Sequence, residues 1–194
     1  MELDKSYDVV RITNGFIRLY DEATKTYGTA KSTGCLGSLS TESETRTVVK
    51  RCEGEVVEEV TIITALLVTF TGHMPIGVLR DLYGFSNEGL KPGVYAIGRK
   101  SKPKKGIYTW QAEDLYDEQK KFMAYPNMRI TSGYAFSHEN GAEEIAEVSI
   151  SFKAMRDELG NFYYDAYENE LTDESVKTGW AQTFEQSLVE LVTP

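Results

Sequence analysis

A run of β-formers from Val56 to Phe70 constrains this chain more than any other feature. Val56, Glu58, Val60, Ile62, Thr64, Leu66, Val68 and Phe70 share one parity, and Val57, Glu59, Thr61, Ile63, Ala65, Leu67 and Thr69 share the other. Side chains alternate across a sheet, so a strand wet on one face reads apolar on one parity only. From Ile62 to Val68 both parities are apolar and rich in β-branched residues, which predicts cover on both faces. Thr71-Gly72-His73-Met74-Pro75 then breaks the strand, and Pro75 suits the first position of a helix, where its missing N–H costs nothing. Ile76, Leu79 and Tyr83 follow at helical spacing, and Gly84 supplies a left-handed stop. The stretch 56–84 thus predicts a long buried strand that hands over to one short helix lying against a sheet.

The flanking segments add strands. Tyr7 to Thr13 and Phe16 to Tyr20 read as extended, with Asn14-Gly15 as a turn between them. Residues 21–34 are rich in Thr, Lys, Ala, Gly and Ser, and predict a loop or an extended arm. Leu36 to Thr41 and Thr45 to Lys50 predict a thinly apolar hairpin with a polar tip at Glu42, Ser43 and Glu44, too polar to stand without a neighbour. Gly93 to Arg99 predicts a short strand, and Lys100 to Lys105 a basic turn, either solvated or set against an acidic neighbour. Ile107 to Tyr116 and Lys121 to Ser132 extend again. Ala146, Val148, Ile150, Phe152 and Ala154 share one face, and Glu147, Ser149, Ser151 and Lys153 the other, as in a half-buried antiparallel strand. Asp157 to Asn161 turns the chain, Phe162 to Tyr167 returns, and the acidic segment from Leu171 to Val192 places Trp180 and Phe184 at helical spacing. Many short-spaced strands with one internal helix predict a mainly-β fold, a sandwich or barrel with a short flanking helix and a long polar hairpin, across one domain of residues 1–194.

Composition narrows function by exclusion. At 194 residues the chain has ample length for a core without staples. No apolar run approaches the roughly 20 residues that span a bilayer, and Met1 to Val10 lacks the pattern of a secretory signal, which predicts synthesis in a cytoplasm. A net charge of −9 argues against a surface that grips nucleic acid through Lys and Arg. Cys35 and Cys52 flank the predicted hairpin and could lie opposite each other, although two reduced thiols fit a cytoplasm better. His73 and His138 sit in loops, two histidines and two separated cysteines make no closed zinc site, and no catalytic or nucleotide-binding signature occurs. The carboxylates of Glu53 to Glu59 and Glu143 to Glu147 read as solvated acidic faces rather than a glycosidase pair. The reading is of a protein that is not an enzyme and needs neither metal nor cofactor. Twelve tyrosines could build a sugar-stacking platform, which keeps a carbohydrate-binding or host-adhesion sandwich as the alternative.

A series of short motifs carries a resemblance. Leu36-Gly37-Ser38-Leu39-Ser40 opens the polar hairpin, Thr71-Gly72-His73 precedes the short helix, and Gly93-Val94-Tyr95-Ala96 follows it. Ala124-Tyr125-Pro126-Asn127 precedes Met128 to Gly133, Gly141 to Glu147 leads the wet-faced strand, and Asp157 to Tyr164 closes the meander. From Leu36 to Tyr167 this order resembles the major tail proteins of long-tailed phages that infect Gram-positive bacteria; residues 171–194 are not matched. The resemblance implies a β-sandwich with a flanking helix, a virion protein made and assembled in the host bacterial cytoplasm. It implies hexameric rings stacked into a tail tube, with tape-measure and terminator proteins as partners, DNA passing through without specific binding, and no membrane partner. On that reading Glu42, Ser43, Glu44, Thr45, Lys102, Lys104 and Lys105 are candidate assembly residues. Glu55, Glu58, Glu59 and Glu147 are candidate lining residues of a carboxylate-biased lumen.

Overall fold

The computed structural model describes residues 8–115, 119–136 and 145–191. Its strands are β1 (Val9–Asp21), β2 (Thr26–Tyr27), β3 (Lys31–Ser32), β4 (Cys35–Cys52), β5 (Glu55–His73), β6 (Lys105–Asp114), β7 (Lys120–Ile130), β8 (Val148–Ala154) and β9 (Tyr164–Tyr167). The helices are α1 (Ile76–Tyr83), α2 (Glu174–Thr183) and α3 (Gln186–Val189). All described strand pairings are antiparallel, and the chain is mainly β, as the patterning predicts. The sheet runs β2-β1-β6-β7-β8-β5-β4, with β3 on β1 and β9 on β7.

This one sheet curls around its own core. Phe70 of β5 stacks on Tyr108 of β6 with ring centroids 4.9 Å apart, although β8 and β7 lie between those strands. Thr41 of β4 shares a 2.7 Å hydrogen bond with the Tyr125 hydroxyl of β7. The two ends of the curl approach where the Thr33 N–H donates to the Gly15 carbonyl of β1 and Leu36 of β4 packs over Gly15. Inside lie Ile17, Val68, Phe70, Tyr108, Tyr125, Met128, Ile150 and Phe152, closed at one side by Val78, Leu79, Leu82 and Tyr83 of α1. Each such apolar side chain contributes about 1.5–3 kcal/mol when fully buried. Pro75 stands one place earlier than expected, as the N-cap of α1, and Gly84 ends the helix at φ 67°. β8 buries Ile150, Phe152 and Ala154 and leaves Ser149, Ser151 and Lys153 accessible, the alternation read from its sequence.

A second apolar cluster covers the outer face of the sheet. Trp180 and Phe184 pack on Ile107 of β6 and on Phe122 and Ala124 of β7. Thr109 fastens this layer by donating to the Ala181 carbonyl at 2.9 Å, and Arg18 by donating to the Phe184 carbonyl at 3.0 Å. The doubly covered strands are therefore β6 and β7, where Gly106 to Thr109 and Phe122 to Pro126 are buried in succession. The expectation that β5 is the doubly covered strand fails: Val68, Phe70 and Gly72 face the core, while Ile63 and Leu67 are 43% and 37% exposed. On that second parity Ala65 is buried, and Thr69 and Thr71 are half-buried.

Several local expectations change for identifiable reasons. Asn14-Gly15 is a bulge in a continuous β1, with Asn14 at φ 51° and a register shift between Thr13 and Phe16, so its turn chemistry bends a strand and does not end it. The segment 21–34 is no free arm; β2 and β3 fold it back on β1, and Thr33 is buried. Gly93 to Arg99 forms no strand beyond a Ser86–Ala96 bridge and is exposed throughout. β9 pairs with β7 at Lys121 to Ala124, not with β8, which takes the same side of β7 at Met128 to Ile130. Tyr116, His138 and residues 141–144 lie outside the described residues.

Candidate functional site

The hairpin of β4 and β5 dominates the surface, with strands of 18 and 19 residues. Its turn is Glu53-Gly54, at φ 50° and φ 90°, the pair of left-handed residues that a two-residue type I′ turn requires. The expected tip at Glu42, Ser43 and Glu44 is corrected accordingly. Those residues and Thr45 lie mid-strand, opposite Leu67, Leu66, Ala65 and Ile63. The physical reason is that Thr41 to Thr45 contains no residue suited to positive φ, while its threonines favour extended backbone. The chain there makes only a bulge between Glu44 and Thr45. Lys153 of β8 donates to both carboxylate oxygens of Glu44, at 2.7 and 3.0 Å, which ties the hairpin to the body at this level.

Beyond the Thr45–Ile63 pair, where Arg156 donates to the Ile63 carbonyl, no third strand supports the hairpin among the described residues. β8 pairs with β5 only from Leu66 to Gly72, so Glu55 to Ala65 has β4 as its one strand partner among the described residues. Eight residues per strand at about 3.3 Å each carry the turn about 25 Å past the Thr45–Ile63 pair. Along this arm Val48, Val49, Val56, Val57, Val60 and Ile63 are each between 39% and 58% exposed. A two-stranded hairpin alone in water is marginal, and exposed valines on both faces add apolar surface that nothing in the chain covers. The sequence contained this signal in Val56, Val57 and Val60, set among Glu55, Glu58 and Glu59 just ahead of the two-parity apolar run from Ile62 to Val68.

The other candidate residues are spread widely. Glu55, Glu58 and Glu59 decorate the distal arm, and Glu58 is 3.9 Å from Lys50 across the hairpin. Glu147 lies at the opposite end of the hairpin, its carboxylate against Gly37, so the four expected lining carboxylates are not brought together. Lys102 and Lys104 are exposed in the loop before β6; the backbone N–H of Lys104 donates to Leu82, and Lys102 backs onto Gly84. Lys105 lies apart from them, its ammonium 3.9 Å over the Tyr20 ring and 3.3 Å from Glu22. Cys35 and Cys52 are exposed at opposite ends of β4, so an intrachain bridge is excluded by the length of the strand. The register instead sets Cys35 opposite His73, and no group of three or more His, Cys, Asp or Glu suited to a metal occurs among the described residues.

One cleft of about 660 Å³ opens beside the root of the arm. Ile107 and Pro126 floor it, Tyr20 and Tyr27 wall it, and Lys25, Lys105, Arg129 and Arg156 reach its rim. Tyr20 and Tyr27 meet edge-to-face at 5.2 Å, and burial, followed by the neighbouring Tyr20 and Glu185, pushes the Tyr27 phenol up from its ordinary value. Of the acidic groups in the cleft, Glu185 pairs with Arg18 at 2.9 Å, and Asp157 accepts from the Tyr164 hydroxyl and the Asn161 N–H. Arg156 donates to the Ile63 carbonyl, which places the cleft at the foot of the arm. Most of the large aromatic side chains, Tyr108, Tyr125, Phe70, Phe152 and Trp180 among them, are in the two cores, not on an exposed platform. No family model matches the chain, and no curated protein matches it.

Proposed function

We propose that this chain is a structural protein that assembles with copies of itself, as a tail-tube protein of a long-tailed phage does. The observation that carries the reading is the arm of residues 45–64, which holds two strands and six exposed branched aliphatic side chains away from any core of its own. Such a segment is stable when a neighbour covers it, which gives copies of this chain a reason to associate. The resemblance supplies the rest of the proposal: hexameric rings, stacked into a virion tube that conducts DNA, capped and measured by other tail proteins.

The test is negative-stain microscopy and sedimentation velocity of the concentrated protein, where rings or tubes are the expected outcome. A variant in which Asn-Gly replaces Thr47 to Thr61 should keep its circular dichroism and its melting transition but stay monomeric, because the removed residues touch no core. A parent chain that stays monomeric at high concentration, or a shortened variant that still forms rings, would overturn the proposal.

A further inference from the structure

The tip of the arm and the cleft at its foot are complementary in charge and in apolar content. The tip carries Glu53, Glu55, Glu58 and Glu59 around the exposed Val56 and Val57; Lys50, 3.9 Å from Glu58, and Arg51, which donates to the Gly54 carbonyl, offset part of that charge and leave the tip acidic. The cleft offers Lys25, Lys105, Arg129 and Arg156 around an apolar floor, and neither Lys25 nor Arg129 has an ion-pair partner among the described residues. Of the three acids that line the cleft, two are already engaged within the chain, which leaves Glu158 against the cations. A cleft of about 660 Å³ falls in the roughly 300–1,000 Å³ range of ligand-receiving sites.

A chain cannot make this contact with itself. Arg156 touches the carbonyl of Ile63, and Glu55 lies eight residues further along an extended strand, about 25 Å away. We propose that the cleft receives the Glu53–Glu59 tip of a second copy, with the glutamates toward Lys25, Arg129 and Arg156 and the two valines toward Ile107, Pro126 and the tyrosine rings. A ring or tube needs these two surfaces joined head to tail: each copy gives its tip to one neighbour and receives the tip of another, and the chain of contacts closes as a ring or continues as a filament. This inference rests on the self-assembly reading and names the surfaces that carry it.

Two variants test it: Glu55→Lys with Glu58→Lys and Glu59→Lys in the tip, and Lys25→Glu with Arg129→Glu in the cleft. All five positions are exposed, and the melting transition checks that each variant folds. Each variant alone should associate about tenfold or more weakly than the parent in sedimentation, and an equimolar mixture should recover association with the two variants alternating, because each supplies the surface that complements the one the other has reversed. In a Cys35→Ser background, Ser187→Cys on the cleft wall should form a disulfide with Cys52 beside the tip. Oxidation should then give a ladder of dimers, trimers and larger species rather than dimers alone. A parent that assembles while both reversed variants assemble equally well overturns the tip-in-cleft contact and leaves self-assembly standing. Weakened variants that do not recover on mixing, or a ladder that stops at dimers, also overturn the contact. A parent that does not associate removes both readings.

Discussion

Tyr108 shows what the curl of the sheet costs at a single residue. Its ring is stacked between strands, and its hydroxyl is buried beside that of Thr33, with no third group to satisfy the pair. Two buried hydroxyls that have only each other leave at least one donor unpaired, at a cost of about 1–3 kcal/mol, so Tyr108→Phe together with Thr33→Val should stabilise the fold by about 1 kcal/mol in a denaturant titration. Burial also pushes the Tyr108 phenol well above its ordinary value of 10.0, as it does Tyr163 and Tyr125. The folded form then holds protons that the unfolded form releases. Stability is therefore fully present below about pH 10 and falls as pH rises above it. Tyr108→Phe should make that alkaline decline shallower, read as melting temperature against pH with phenolate absorbance in parallel; an unchanged slope would place the burden on other tyrosines. At this scale the sequence is partly legible. The apolar neighbours of Tyr108 mark it as a core residue, whereas Asn14-Gly15 carries the chemistry of a turn and serves as a bulge, because strand pairing with β6 on both sides overrides it.

Among the elements, α2 and the arm contrast most sharply. Asp173 caps α2 by accepting from the Ser175 N–H, and the hydroxyl and N–H of Ser175 hold its carboxyl below the usual range. Trp180 then reaches Phe122 at 5.9 Å and Phe184 at 5.0 Å between centroids. Trp180→Ala should cost about 3–5 kcal/mol and loosen the outer cluster first. Amide exchange would report this as lost protection in α2 and on β6, with β5 and β8 retained; a melting temperature equal to the parent would show that the helix is an ornament on the sheet. The aromatic spacing of Trp180 and Phe184 made this helix legible, but its target face was not, since nothing local in Ile107 to Thr109 marks a strand covered on both sides. The arm shows the opposite. Val56 to Phe70 reads as one long strand, and only the pairing pattern, with β8 ending opposite Leu66, reveals that its first half lies beyond the body of the sheet. The polar run Glu42 to Glu44 resembles a turn, while the actual turn is at Glu53-Gly54, where both residues take positive φ.

For the whole molecule, the net charge of −9 opposes any self-association, and the few cations decide where it is overcome. Lys102 and Lys104 lie in the exposed loop after α1, away from the cleft that Lys105 lines, and neither has an ion-pair partner among the described residues. Two forces with different ranges compete between copies. Repulsion between acidic bodies reaches about 30 Å at 0.01 M salt and about 8 Å at 0.15 M, so modest salt removes most of it. Close pairs of opposite charge in a partly buried contact survive that screening and weaken only as salt approaches 1 M. Association should therefore rise from low to physiological salt and fall again at high salt, read as weight-average mass by sedimentation at fixed protein concentration. Reversal of Lys102 and Lys104 to Glu separates the two forces. If the loop acts only through overall charge, the variant associates poorly at 0.01 M and regains the parent curve at 0.15 M. A loop seated on an acidic surface of a neighbour, as the basic cluster implies, leaves the variant weaker than the parent at both concentrations. The second outcome is the expected one, because both lysines project from a segment whose Val94, Tyr95 and Ile97 are themselves about half exposed and would be covered by the same neighbour.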